Sequence, residues 1–251
     1  MNNMSALELK NISKSFLDKE AVQDVSFKVD YGEVLALLGS NGAGKTTTLN
    51  MIAGFLMPSS GEVLVNGQWN HSTHNKEIKN TIGYLTSNMR LYEKFSIREC
   101  LQFLGKLRDI DKVKIKNRIE ELSELFEIGG YIDKRFQELS SGQKQRSLIA
   151  ATLLHDPKIL ILDEITASLD VPTARLIMDF LKKEKSKGKA ILFSTHILTE
   201  AEYLSDQMAI IHDGRIMDQC SASDFMKKHK SNNMTDAFCE AVAKYKAENA
   251  A

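Results

Sequence analysis

The residues Gly39-Ser40-Asn41-Gly42-Ala43-Gly44-Lys45-Thr46 follow the apolar run Val34 to Leu38 and lead into Thr47. A buried strand, a glycine loop and a helix in that order make a phosphate-binding loop. The glycines let successive backbone N–H groups turn inward, and the helix N-terminus adds the positive end of its dipole. Lys45 is spaced to reach β- and γ-phosphates as a point charge, and the Thr46 hydroxyl to ligate Mg²⁺. A second group, Asp163-Glu164, closes the apolar run Ile159 to Leu162. Open α/β sheets bind ligands at the carboxyl ends of their strands. There Asp163 suits holding Mg²⁺ through water, and Glu164 suits orienting or deprotonating a water aimed at a γ-phosphate. His196 ends another apolar run, Ala190 to Phe193, and can face the same crevice; a lone strand-end histidine is otherwise structural.

These groups need a sheet to hold them, and the flanking patterns supply one. Ala6 to Ile12 and Ala21 to Val29 alternate apolar and polar residues around Asp18-Lys19-Glu20, as antiparallel edge strands do. Phe16, just before that turn, suits either the core or a stack on a base. Val34 to Leu38 is apolar on both faces, as a central parallel strand should be. The helix from Lys45 is expected to end at Gly54, and Glu62 to Val65 with Asn66-Gly67 reads as a strand and hairpin turn. Thr81 to Leu85 reads as a short strand, after a polar stretch with Trp69, His71 and His74 that suits a solvated loop better than a metal site.

From Ser96 the period becomes helical. Ser96-Ile97-Arg98-Glu99 is a capping box, with Ile97, Leu101, Leu104 and Leu107 expected on one face. Ile115, Ile119, Leu122, Leu125 and Phe126 mark a second helix expected to stop at Gly129-Gly130. A third starts at Leu139-Ser140-Ser141-Gly142-Gln143. Together they read as a helical insertion over roughly 91–154. Pro172 opens a further helix, to about Ser186, and this alternation of strand and helix implies a parallel sheet. Gln207 to Ile211, the turn Asp213-Gly214 and Arg215 to Gln219 read as a closing hairpin. The tail from Met226 is expected to carry a last helix with Phe238, Ala241, Val242 and Tyr245 on one face.

The chain has 251 residues, of which 43% are apolar, enough for a substantial core. Thirty-three basic residues balance 33 acidic ones, so no global field argues for nucleic acid or an anionic membrane. Three cysteines, Cys100, Cys220 and Cys239, lack CxxC spacing and suit inert thiols in a reducing compartment. No stretch approaches the ~18–20 apolar residues of a membrane span, so a soluble, cytoplasmic chain is expected. In a membrane process another polypeptide would supply the spanning part.

Taken together, Gly39 to Thr46, Leu139 to Gln143 with Gln145-Arg146, Leu162-Asp163-Glu164, Ser168-Leu169-Asp170 and Ser194-Thr195-His196 resemble the ATP-binding cassette of ABC transporters over nearly the whole chain, to about Met217. The resemblance implies an α/β fold: a RecA-like parallel core, an antiparallel β edge subdomain and the helical insertion, with the cassette over 1–225 and a tail over 226–251. It implies an ATP hydrolase that binds ATP and Mg²⁺. Phe16 would stack on adenine, residues 39–47 would bind the phosphates, and Thr46, Asp163 and Ser87 would stand at the metal. Glu164, Lys45 and His196 would carry the reaction. Ser140, Ser141, Gly142 and Gln143 would bind the γ-phosphate held by an opposing subunit, with Asp170 crossing the interface. The expected partners are a second cassette, in a homodimer, and a separate transmembrane permease contacted by the helical insertion, at the inner face of the cell membrane.

Four positions depart from the family pattern. Ser87 stands where a Gln is usual after Ile82-Gly83-Tyr84-Leu85-Thr86, Ile165 where Pro is usual, Ser141 where Gly is usual, and Ser168 where Gly or Ala is common. None removes a charge from the reaction centre. The Thr86-Ser87 region, His155-Asp156-Pro157, Ser194 to Ile197 and Glu200-Ala201-Glu202 are most similar to the sodium-export branch of ABC-2-type exporters. Two other readings stay open at this point: an ATP-gated dimerising module with negligible turnover, and a soluble ABC ATPase acting on nucleic acid or the ribosome.

Overall fold

The computed structural model describes residues 5–17, 19–69, 76–166 and 169–249. Asp18, His71, His74 and Ser168 lie outside them, as does the side chain of Trp69.

β1 (Leu7–Phe16) and β2 (Lys19–Val29) pair antiparallel, and β4 (Ser60–Val65) and β5 (Gln68–Trp69) extend them into a four-stranded sheet of order β2-β1-β4-β5. Asn66 and Gly67 both take positive φ, 52° and 72°, the handedness that a two-residue hairpin turn demands. The second sheet has six strands: β3 (Val34–Leu38), β6 (Ile82–Leu85), β7 (Ile159–Asp163), β8 (Ala190–Thr195), β9 (Gln207–His212) and β10 (Arg215–Cys220). Their order is β10-β9-β3-β8-β7-β6, and every pairing is parallel except β9 with β10.

The side-chain alternation of β3 divides the core in two. Leu35 and Leu37 point to the four-stranded sheet and meet α1 (Lys45–Ile52) through Leu49 and Ile52. Val34, Ala36 and Leu38 point to the opposite face, which the remaining long helices cover. Those helices include α3 (Ile97–Leu107), α4 (Lys112–Leu125), α5 (Ser141–Leu153) and α6 (Val171–Ser186). The first three lie between β6 and β7, and Phe126 packs edge-on to Phe180 of α6 with ring centroids 5.1 Å apart.

The Ser96 capping box forms as expected, with the Ser96 hydroxyl accepting from Glu99 N–H and Glu99 accepting from Ser96 N–H. Leu107 is a correction: it is exposed, because it falls on the last turn of α3, rotated away from Ile97 and Leu101. α4 also ends earlier than its glycines suggest, since Glu127 takes the left-handed position at φ 53° and Gly129 opens a 3-10 turn. Thr81 belongs to a short helix, α2 (Lys76–Thr81), which the strand reading missed. Two further short helices were not expected: α7 (Leu198–Leu204) and α8 (Ala222–Lys228). The last helix, α9 (Met234–Asn249), buries Met234, Ala237 and Ala241 in the same core as Phe225 of α8. Among the described residues no helix is long and apolar enough to cross a membrane.

Candidate functional site

The parallel register brings the carboxyl ends of β3, β7 and β8 side by side: Leu38 pairs with Thr195, and Asp163 with Ser194. The glycine loop leaves β3 at that edge. Gly44, at φ 105°, is the N-cap of α1, and a Cβ there would stand 2.7 Å from the Ala21 carbonyl oxygen. A Cβ on Gly39 would stand 2.4 Å from the Ile211 carbonyl oxygen. Both positions therefore require glycine, one by conformation and both by space.

A cleft of about 680 Å³ opens over this edge, lined among others by Phe16, Asn41, Gly42, Gly44, Lys45, Thr46, Thr47, Ser87 and Glu164. Gly39, Ser40 and Ala43 do not line it; they form the back of the loop, where the Ala43 carbonyl accepts the Gly214 N–H at 3.0 Å. Phe16 is 47% exposed, so it is a wall of the cleft and not part of the core.

Lys45 is only 5% exposed. Its ammonium donates to the Gly39 and Ser40 carbonyls at 2.8 and 3.1 Å and pairs with Glu164 Oε1 at 3.2 Å. The same Oε1 lies 3.4 Å from Nδ1 of His196, whose side chain is 42% exposed. Glu164 sits at φ 49°, a left-handed backbone rare for a glutamate. Asp163 is held from both sides: Thr46 Oγ1 donates to Oδ2 at 2.9 Å, and Ser194 Oγ donates to Oδ1 at 2.5 Å. Ser194 in turn accepts the Glu164 N–H on both its hydroxyl and its carbonyl, each at 3.2 Å.

The donors converging at Thr46 and Asp163 are a hydroxyl and one carboxylate, all oxygen. Among the described residues no three His, Cys, Asp or Glu side chains gather as they would around a protein-enclosed ion. That set fits Mg²⁺, which keeps water and phosphate oxygens and takes only one or two ligands from protein. Beneath the site, Tyr84 donates to Asn50 Oδ1 at 3.0 Å. Burial pushes its phenol well above the usual tyrosine range, and the Asp163 carboxylate adds to that.

Sequence-derived site residues thus fall into two sets. Those from β3, β7, β8 and Ser87 meet at one cleft edge. Ser140, Ser141, Gly142 and Gln143 do not line it: they form the exposed N-terminus of α5, where Ser140 accepts the Gln143 N–H at 3.3 Å and Gln143 Oε1 accepts the Ser140 N–H at 3.1 Å. Asp170 caps α6 within its own chain by accepting the Thr173 N–H at 2.8 Å. Several cleft residues escaped the sequence reading: Lys19, Glu20, Gln23, Asp213 and Gly214. Asp213-Gly214 was legible as a turn, but only the β3–β9 pairing brings it to the glycine loop.

The ABC transporter family profile matches residues 22–167. The ABC transporter ATP-binding protein NatA of Bacillus subtilis strain 168 is 36% identical over 237 residues, spanning 92% of this chain and 96% of that protein. Nod factor export ATP-binding protein I of Rhizobium sp. strain N33 is 34% identical, spanning 93% of this chain and 76% of that protein. A solved structure of the ATP-binding subunit of an ABC transporter superposes with a TM-score of 0.87 at 28% identity, covering 95% of this chain and all of the other. With the glycine loop, the paired acids and the serine turn set in this fold, the chain belongs to the ABC transporter family, as one of its ATPase cassettes.

Proposed function

We propose that this cassette hydrolyses ATP at the edge of β3, β7 and β8 to drive a membrane exporter of small solutes, sodium among the candidates. The observation that carries the hydrolytic reading is Glu164 Oε1 standing within 3.2 Å of Lys45 and 3.4 Å of His196. Without nucleotide, Lys45 spends its charge on Glu164 and two loop carbonyls. A triphosphate entering the loop draws Lys45 away from Glu164, and the freed carboxylate accepts a proton from a water facing the γ-phosphate. The loop N–H groups and the N-terminus of α1 bind the phosphate oxygens. His196, at the exposed end of β8, reaches the same γ-phosphate and orients it against Glu164. Thr46 and Asp163 would hold Mg²⁺, with Ser87 near it through water. When bound, the ion neutralises charge on the phosphate oxygens.

Phe16 takes the adenine, as an exposed aromatic at the cleft wall can. The exposed α5 N-terminus fits a role outside its own chain: in a homodimer, Ser140 to Gln143 of a second copy close the site and complete γ-phosphate binding. The segment over 91–154 is the proposed permease contact. Exposed Tyr92 and Phe95 lie tilted against each other there with ring centroids 5.5 Å apart. In this reading the cassette spans 1–225 and works at the cytoplasmic face of the membrane. The exporter direction is supported by the Nod factor export relative and by the likeness of the Ser194 to Ile197 region to ABC-2-type exporters.

The decisive experiment is Mg²⁺-dependent ATP hydrolysis by wild type beside Glu164→Gln, with oligomeric state followed in the same samples. The expected result is turnover in the wild type only, with nucleotide affinity kept and an ATP-trapped dimer in the variant. Retained hydrolysis by Glu164→Gln refutes the role assigned to Glu164.

A further inference from the structure

Glu200, on the first turn of α7, has no part in the chemistry above, yet its carboxylate joins the exits of two catalytic strands. The Thr166 hydroxyl donates to Oε1, and the Thr195 hydroxyl donates to Oε2 at 2.7 Å. Both threonines are buried. Thr166 lies two residues beyond Glu164, and Thr195 directly precedes His196. Each is also anchored through its backbone: the Thr166 carbonyl accepts the Leu169 N–H at 3.0 Å, and the Thr195 carbonyl accepts the Gly39 N–H at 3.4 Å. Thr195 Oγ1 accepts the Ile197 N–H at 2.9 Å besides, which starts the turn into α7.

Among the described residues, no lysine, arginine or histidine pairs with Glu200; the two hydroxyls are its side-chain partners. A carboxylate placed between two hydroxyl donors makes two charge-assisted hydrogen bonds in fixed directions, so it sets a distance between the groups it bridges. The distance that matters lies a residue or two away, where Glu164 Oε1 and His196 Nδ1 stand 3.4 Å apart. The left-handed backbone of Glu164 persists only where surrounding bonds over-determine it; the Ile165 carbonyl accepts Gln145 Nε2–H at 2.9 Å, and the Thr166 hydroxyl is the next side chain clamped along the chain.

We propose that Glu200 is a positioning residue for hydrolysis: by bridging Thr166 to Thr195 it holds the Glu164 and His196 side chains in register over the γ-phosphate. The proposal rests on the hydrolytic reading given above. It touches neither nucleotide nor metal, so its removal slows the chemical step while leaving nucleotide binding intact. An ordinary helix-end contact makes a different forecast, a loss of stability with no selective effect on turnover.

The test compares E200A, E200Q, T166V, T166S and the T166V/E200A pair in steady-state ATP hydrolysis. Since displacement of a catalytic group by about 1 Å costs on the order of 100-fold, kcat in E200A and T166V should fall roughly 10- to 100-fold with KM for ATP within about twofold of wild type. T166S, which keeps the hydroxyl, and E200Q, which can accept one hydroxyl and donate to the other, should restore most of kcat. The pair should be no slower than the slower single variant, because either change alone opens the clamp. Wild-type kcat in T166V, multiplying losses in the pair, or a KM that rises as kcat falls would each overturn the proposal. T166V exchanges the threonine hydroxyl for a methyl at nearly constant volume and T166S keeps the hydroxyl while losing the methyl, so together they separate hydrogen bonding from packing even where E200A does not fold. Glu164→Gln, run alongside, separates the two claims. If that variant still hydrolyses ATP, the hydrolytic assignment fails and the clamp is judged by the His196 imidazole resonances in NMR. Resonances displaced in T166V and returned in T166S support the clamp; resonances unchanged in T166V overturn it.

Discussion

Ser194 offers a quantitative check on how the acid pair is held. Its hydroxyl donates to Asp163 Oδ1 at 2.5 Å, and both residues are 1% exposed. Replacing Ser194 with Ala removes that donor and leaves a carboxylate oxygen facing β8 with no water to take its place. The Glu164 N–H loses less, because the Ser194 carbonyl still accepts it at 3.2 Å. Asp163 also keeps Thr46 on its other oxygen. The loss is therefore one buried hydrogen bond to a charged acceptor, worth about 1.5–3 kcal/mol. At roughly 2–4 °C per kcal/mol for a chain of this size, S194A should melt roughly 3–12 °C below wild type. Thr46→Ala is the internal comparison: it removes the opposite bond to the same carboxylate at an exposed hydroxyl, so it should cost about 1 kcal/mol or less. Differential scanning calorimetry of both variants without nucleotide measures the ranking. S194A melting within about 1 °C of wild type, or T46A proving the more damaging of the two, would refute this account of how Asp163 is held.

Other changes probe separate parts of the molecule. His155 donates Nε2–H to the Ile82 carbonyl at 3.0 Å while burial lowers its pKa to about 4. Because that value lies below the ordinary 6.5, the unfolded chain binds the proton first. His155 therefore contributes stability in full above pH 6.5, and this is lost as pH falls toward 4, by up to about 3 kcal/mol. Urea unfolding across pH 4–7 should show that slope in wild type and a flatter one in His155→Gln; parallel slopes would contradict it. Gly44→Ala should abolish nucleotide binding, since its Cβ meets the Ala21 carbonyl at 2.7 Å on a backbone at φ 105°; normal affinity in a fluorescent-nucleotide titration would show that the loop relaxes freely. Phe16→Ala should weaken ATP binding by about 1–2 kcal/mol while leaving triphosphate binding alone, and equal losses for both ligands would deny it the base.

How legible all this was varies with the range of the interaction. The Ser96 capping box, the Asn66-Gly67 turn and the glycine loop were readable because each is closed by residues within about six positions. The end of α4 was not: Glu127 took a left-handed backbone usually left to glycine, with its carboxylate paired to the distant Arg146 at 2.6 Å. α7 and α8 were missed because seven residues carry too little periodicity to reveal a helix, and each is stabilised by what it docks on.

The amino-acid order by itself pointed to the chemistry: a glycine loop of the phosphate-binding type, acids at a strand end, and a serine turn of the kind found in ABC cassettes. Those are properties of short segments whose meaning travels with their residue types. Only tertiary structure decided how they act together. The pairing of β7 with β8 sets Ser194 against Asp163, the β3–β8 register brings Thr195 to the glycine loop, and the fold of α7 carries Glu200 between two strand exits. Lys45, Glu164 and His196 lie more than a hundred residues apart or on different strands, so their 3.2 and 3.4 Å contacts are products of sheet order that no local pattern encodes.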